Sequence, residues 1–167
     1  MLPEAEKLLV ALADAIRPAV TANTALVGIW TGGAWVAERL HPMLKIALPL
    51  GTLAVNFHRD DYSRIGLHRQ AKPSNVPFDV AGRDIVLVDD VLFSGRTVRA
   101  AVNELFDFGR PKSVRLAVLV DRGGRELPIA AQYVGAAADL APGDELVLMR
   151  DGNRLAFTQQ PRPQQSP

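Results

Sequence analysis

The sequence predicts an α/β fold in which a central, mostly parallel, twisted sheet is flanked by helices. Short apolar runs rich in β-branched residues recur along the chain, and such runs are typical of strands buried on both faces. Two of them lead through a small-residue loop into a segment with helical spacing. The composition, 48% hydrophobic and 22% charged residues, is that of a globular protein.

The chain of 167 residues has the length of one domain, which we place at residues 1–157. Residues 158–167 are rich in proline and glutamine, and we expect them to form a disordered tail. The first residues lack the apolar core of a secretory signal, and no apolar stretch has membrane length. We therefore expect a cytoplasmic protein without membrane contact.

Charge and cysteine content exclude several functions. The 19 basic and 18 acidic residues give a net charge of +1, so nothing draws the whole molecule onto nucleic acid. The sequence contains no cysteine, which excludes disulfides, thiolate metal sites and cysteine nucleophiles.

The periodicity of the apolar residues predicts the helices and strands, and proline and glycine residues indicate where they end. Helical spacing over residues 3–20 ends near Pro18, and a second helix follows the loop Thr31-Gly32-Gly33 over residues 34–40. Asp151-Gly152 indicates a hairpin turn. The predicted strands are residues 25–30, 46–50, 52–57, 85–88, 113–120, 132–135 and 145–149.

Residues 85–97 combine a strand, two acids, a loop and a helix start. The apolar strand 85–88 is followed by Asp89 and Asp90, then by a loop of small and hydroxyl residues, and helical spacing begins at Thr97. Ligands of open α/β sheets bind at the carboxyl ends of strands, and a helix N-terminus suits a phosphate. The hydroxyls of Ser94 and Thr97 can add donors. The carboxylates would repel a phosphate but suit sugar hydroxyls or Mg²⁺, so we predict a sugar phosphate as ligand.

The polar segment 58–77 has no clear period. Long loops inside compact domains are often lids that close over a ligand. Arg59 and Arg64 are therefore candidate lid contacts to the substrate.

Residues 85–97 resemble the phosphoribosyl-diphosphate (PRPP) signature of type I phosphoribosyltransferases. The flanking motifs, among them His58-Arg59-Asp60-Asp61 and the run 116–128, are similar to one branch of that family, the PyrR-type proteins. Proteins of that branch are uracil phosphoribosyltransferases that in some bacteria also regulate pyrimidine operons by binding messenger RNA. The resemblance covers roughly residues 25–135.

The resemblance implies the type I phosphoribosyltransferase fold with a small hood and a flexible lid. It also implies conversion of uracil and PRPP to UMP and pyrophosphate with Mg²⁺, held through the substrate and by Asp89, in a homodimer or higher homo-oligomer. Asp90 and Asp89 are the catalytic candidates, and Arg122 lies beside the base. The implied PRPP-binding residues are Thr31, Gly32, Gly33, Asp89, Asp90, Leu92, Phe93, Ser94, Gly95, Arg96 and Thr97.

Three departures from the branch leave alternatives open. Gly32 replaces an arginine of the pyrophosphate loop, Gly124 stands where histidine is frequent, and residues 136–143 differ in the hood. One alternative is a UMP-sensing, RNA-binding regulator that binds pyrimidine operon leaders, although α-helical residues 7–17 lack that group's basic pattern. Another is a transferase for a different nucleobase, and a third is a nucleotide sensor without turnover.

Overall fold

The computed structural model describes residues 1–55 and 72–164. The helices are α1 (Ala5–Ile16), α2 (Gly32–Leu44) and α3 (Arg96–Phe106), with a 3-10 turn at Arg17–Ala19. The strands are β1 (Thr24–Ile29), β2 (Gly51–Leu53), β3 (Asp84–Leu92), β4 (Ser113–Asp121), β5 (Tyr133–Ala137), β6 (Asp144–Asp151) and β7 (Arg154–Pro161). No helix in these two ranges is long and apolar enough to cross a membrane.

Five strands form one sheet in the order β2-β1-β3-β4-β5, and each neighbouring pair is parallel. The predicted fold class is therefore confirmed. The chain leaves β1 toward β2 on one side, whereas β3 lies on the other side of β1. This change of direction is the switch point at which open α/β sheets bind ligands, and it lies between the carboxyl ends of β1 and β3.

The sheet is covered on both faces, as its apolar strands predict. In β3, Val86 and Val88 pack with α1 and α2, whereas Ile85 and Leu87 pack with α3. Side chains of a strand alternate between its two faces, so this division follows directly from the sequence order. Residue 90 lies near the carboxyl end of β3 and therefore at the open end of the sheet.

A two-stranded antiparallel hairpin, β6 and β7, covers the face that carries α1 and α2. Its buried side chains Leu146, Leu148, Leu155 and Phe157 belong to the same apolar cluster as those helices. Glu6 of α1 accepts hydrogen bonds from Arg39 of α2 at 2.9 Å and from the Leu155 N–H at 2.8 Å. The predicted hairpin is confirmed, and its turn is Gly152-Asn153, because Asp151 still pairs with Arg154.

Several predicted boundaries are wrong. Residues 158–161 were predicted as disordered tail, but they complete β7 because each pairs with a residue of β6. Residues 46–50 form no strand, and the predicted strand 85–88 continues to Leu92, since its ladder with β4 extends that far. Helix α2 starts at Gly32 and contains Pro42. The predicted lid, with Arg59 and Arg64, lies outside the described residues.

Candidate active site

Hydrogen bonds to its carbonyl groups fix the loop between β3 and α3, and the Arg96 N–H donates to Oγ of Ser94 at 3.2 Å. Arg125 donates to the Phe93 carbonyl at 2.7 Å, and the Ser94 carbonyl accepts from the N–H groups of residues 126 and 127 at 2.9 and 3.1 Å. Gly95 has φ +93°, which glycine adopts without strain. The first N–H groups of α3 lack partners within the helix. We call residues 92–97 the phosphate loop, because such amides suit an anion.

The two aspartates at the end of β3 differ in exposure. Asp89 is only 2% exposed, and its Oδ1 accepts the N–H of Asp90 at 2.9 Å. Asp90 is half-buried, and its own Oδ1 accepts the N–H of Val91 at 2.9 Å. Asp90 is therefore the carboxylate that a ligand reaches more easily, and Asp89 supports it from inside.

The turn from β1 into α2 packs directly on these aspartates. We call its residues Thr31, Gly32 and Gly33 the diglycine loop, although both glycines already belong to the first turn of α2. A Cβ atom added to Gly33 would lie 2.5 Å from the Val88 carbonyl oxygen and 2.9 Å from Cα of Asp89. A Cβ atom added to Gly32 would overlap Oδ2 of Asp90 and lie 2.6 Å from its Cγ. The peptide bond before Thr31 is cis. Both glycines are therefore required for the close approach of this loop to the end of β3.

The loop after β4 is held by an internal ion pair. Arg125 contacts Oδ2 of Asp121 at 2.5 Å, and the Gly123 N–H donates to Oδ1 at 2.9 Å. Burial raises the pKa of Asp121, but the bonds from Arg125 and Gly123 outweigh burial and hold that pKa below its usual value. Arg125 also donates to the Ile129 carbonyl at 2.9 Å. One guanidinium thus joins this loop to the phosphate loop.

Two guanidinium groups lie over the ring of Phe93 in the phosphate loop. The guanidinium carbon of Arg122 lies 4.2 Å from the ring centroid, and that of Arg162 lies 4.6 Å from it. A Cβ atom at Gly124 would overlap the same ring. The histidine that is frequent at position 124 in the branch would therefore displace Phe93, which explains in part why this chain carries glycine there.

The structure brings most of the predicted site residues to one edge of the sheet. The loop of Thr31 to Gly33, the aspartates, the phosphate loop and Arg122 lie at the carboxyl ends of the adjacent strands β1, β3 and β4. Arg59 and Arg64 lie outside the described residues. Sequence reasoning missed Arg125 and Arg162. Arg125 had a signal in the charged turn after a strand, whereas Arg162 lay in a segment that we predicted to be disordered.

The described residues do not build a metal centre by themselves. Across residues 1–55 and 72–164, no three acidic or histidine side chains gather at one point. Asp89 and Asp90 supply carboxylate oxygens, which Mg²⁺ prefers, but too few of them for a cage made only of protein. The donor set therefore fits a Mg²⁺ ion that is bound largely by phosphate oxygens of the substrate.

Known proteins share this architecture and much of this sequence. The phosphoribosyl transferase domain family matches residues 3–139. The Bifunctional protein PyrR of Nitrosococcus oceani is 59% identical over 126 residues, covering 74% of this chain and 71% of the relative. That of Ralstonia nicotianae is 48% identical over 167 residues, covering 95% of each. A purine phosphoribosyltransferase from Pyrococcus horikoshii has a TM-score of 0.61 at 23% identity, covering 88% of this chain and 93% of that chain.

The parallel sheet and the phosphate loop are those of a type I phosphoribosyltransferase. The chain belongs to the phosphoribosyl transferase family, and its curated relatives place it in the PyrR group of that family. The predicted family and the predicted class of enzyme, a pentosyltransferase, are confirmed at this level. The roles of the individual site residues stay predictions.

Proposed function

We propose that the protein transfers the phosphoribosyl group of PRPP to uracil, giving UMP and pyrophosphate. The observation that carries this proposal is the convergence of three loops at the switch point: the diglycine loop, the aspartates with the phosphate loop, and the loop around Arg122. These loops offer separate places for a pyrophosphate, a sugar phosphate and a base. The PyrR relatives support the choice of uracil.

The 5′-phosphate would bind the amides of the phosphate loop together with the hydroxyls of Ser94 and Thr97. The ribose hydroxyls would bind the carboxylates of Asp89 and Asp90. The leaving pyrophosphate would lie at Thr31 and at the backbone amides of the diglycine loop. Bound Mg²⁺ would neutralise part of the pyrophosphate charge.

In the reaction, the bond between ribose C1 and the pyrophosphate oxygen breaks, and pyrophosphate keeps the electron pair. A bond from C1 to N1 of uracil forms, and the N1 proton leaves. The transition state resembles an oxocarbenium ion, so negative charge from Asp90 stabilises it. Asp90 is also our candidate acceptor for the proton, because it is the more accessible carboxylate.

The test is a panel of nucleobases with PRPP and Mg²⁺, read by release of pyrophosphate. We expect turnover with uracil and little with cytosine, hypoxanthine or guanine. Turnover with a purine base alone would replace uracil by the other-base alternative. Binding of UMP without any turnover would favour the nucleotide sensor.

Regulation through RNA is a second candidate function, because the curated relatives are called bifunctional. The surface of α1 gives it little support. Lys7 pairs with Glu4 at 3.0 Å, and Arg17 pairs with Asp14 at 2.6 Å, so both cations are locally neutralised. A gel-shift titration with pyrimidine operon leader RNA tests this function. Nanomolar binding that depends on the RNA sequence would establish it, and binding that is equal for a scrambled RNA would exclude it.

A further inference from the structure

The segment that follows β7 returns to the phosphate loop. The pairing of Asp144 with Pro161 sets where β7 ends, and the N–H of Arg162 then donates to the Gly143 carbonyl at 2.5 Å. Pro163 favours an extended backbone for the preceding residue. The side chain of Arg162 lies over Phe93, a residue of the phosphate loop. A part of the chain that is far away in sequence thus reaches the candidate active site.

Arg162 shares the ring of Phe93 with a second cation, Arg122, although the two repel each other. Burial lowers the pKa of the Arg122 guanidinium, and Arg162 lowers that pKa further, against the opposing charges of Glu145 and Asp144. Within residues 1–55 and 72–164, neither guanidinium makes a hydrogen bond or ion pair. The Nε of Arg122 is enclosed without a partner. Arg122 is half-buried, whereas Arg162 is exposed. The enclosed Nε–H of Arg122 is unfavourable unless a ligand supplies an acceptor.

The position of this pair indicates which part of a ligand it meets. Arg122 follows β4 directly. The Ala138 N–H, in the hood region 136–143, donates to the Asp121 carbonyl at 3.0 Å, so the hood lies next to the loop of Arg122. The amides that suit the 5′-phosphate lie further along the chain, at the start of α3. We therefore assign the base, rather than the 5′-phosphate, to this pair. The glycine at position 124 keeps the ring face free for it.

We propose that Arg122 and Arg162 together recognise the carbonyl edge of a pyrimidine base, and that Arg162 is a residue that determines base specificity. This inference rests on the proposed phosphoribosyl transfer. A guanidinium only donates hydrogen bonds, so it pairs with the carbonyl oxygens of uracil. The amino group of cytosine is also a donor, and it would face the guanidinium unpaired. The pair thus favours an oxo base and rejects an amino base.

The experiment compares the binding of UMP, CMP and ribose 5-phosphate by calorimetry for the wild type and Arg162→Gln. Glutamine carries an acceptor as well as a donor, so it tolerates the amino group. We expect the preference for UMP over CMP to fall by about 10- to 100-fold, the value of one charged hydrogen bond. Ribose 5-phosphate lacks the base, and its affinity should stay unchanged. Arg154→Gln, at the opposite end of β7, is the matched control and should leave all three affinities unchanged.

The outcomes separate this inference from the proposed function. If the wild type binds neither UMP nor ribose 5-phosphate, the proposed function fails and the inference fails with it. If the wild type binds UMP but Arg162→Gln keeps the same preference over CMP, the inference alone is overturned. Equal weakening of UMP and ribose 5-phosphate would also overturn it, since Arg162 would then contact the phosphate. In turnover, we expect the variant to raise KM for uracil and to leave KM for PRPP unchanged.

Discussion

Gly32 and Asp90 share one space: the carboxylate of Asp90 lies where a side chain at residue 32 would begin. A Cβ atom at this glycine would lie 2.6 Å from Cγ and 3.1 Å from Cβ of Asp90. The arginine found at this position in the branch thus cannot be added here without moving Asp90. This position carries no cation here, and the carboxylate of Asp90, which we propose contacts the ribose, lies where a side chain at residue 32 would begin.

Gly32→Ala should therefore reduce activity more than stability. The obstacle is the end of a side chain, which can rotate away, so we expect a melting temperature close to that of the wild type. Displacement of Asp90 should lower kcat/KM for PRPP by about 100-fold, the usual effect of misplacing a catalytic group by about 1 Å. In an Asp90→Ala background, the same substitution should have little further effect, and a full additional loss would contradict this coupling.

Gly33→Ala should instead destabilise the fold. Here the added atom meets the Val88 carbonyl oxygen and Cα of Asp89, which are backbone atoms of a central strand. Overpacking of this kind costs about 1–3 kcal/mol. Urea unfolding of the two alanine variants side by side measures the difference. Equal free energies of unfolding for both variants would contradict this prediction, because they would show that the backbone of β3 moves as easily as the side chain of Asp90.

Asp90→Asn should lower kcat by about 10²- to 10⁴-fold, as the loss of a positioned acid–base group does. Asparagine keeps the shape of the side chain and one acceptor oxygen, so binding of ribose 5-phosphate should change much less than kcat. Steady-state kinetics and calorimetry on the same preparation measure both quantities. A fully active variant would remove Asp90 from the mechanism.

Glu6→Gln should weaken the attachment of the hairpin at neutral pH. The hydrogen bond from Arg39 lowers the pKa of Glu6, against burial, and the Leu155 N–H and the charge of Arg39 add to the effect. Both side chains are partly exposed, so we expect a loss of only about 0.5–1 kcal/mol in free energy of unfolding. The carboxylate stabilises the fold above the unfolded-state pKa of about 4.3. This contribution disappears as the pH falls through the lowered pKa of the folded state.

Urea titrations at neutral and acidic pH measure this dependence. The difference between wild type and Glu6→Gln should shrink as the pH falls and vanish once Glu6 is protonated in the folded state. Glu4→Gln is the control, because the Glu4 side chain forms an exposed ion pair with Lys7, three residues further along the same chain segment. A difference that stays constant with pH would show that the ionised form of Glu6 contributes nothing.

The sequence predicts the parts of this site that local patterns encode. Asp89, Asp90 and the phosphate loop form one continuous segment, and the diglycine loop follows an apolar strand, so their common edge follows from the rule for parallel strands. The predicted end of β3 was wrong by four residues, because pairing with β4 continues through the acids. The composition of the strand alone does not report that pairing.

Arg162 could not be predicted because its position depends on pairing between distant residues. Its segment is polar and contains prolines, which alone indicates disorder. The ladder of β6 with β7, and the burial of Leu155 and Phe157 against α1, carry it to Phe93. The hydrogen bond from Arg125 to the Phe93 carbonyl could not be predicted either, because it depends on how the two loops fold against each other.

The joint packing of α1 with the β6–β7 hairpin also has a consequence for biosynthesis. Leu9 and Leu12 are translated long before Leu155 and Phe157, yet all four share one apolar cluster. The apolar face of α1 that contacts the hairpin therefore stays exposed until β6 and β7 have been translated. We expect the nascent chain to need chaperone protection until the hairpin emerges.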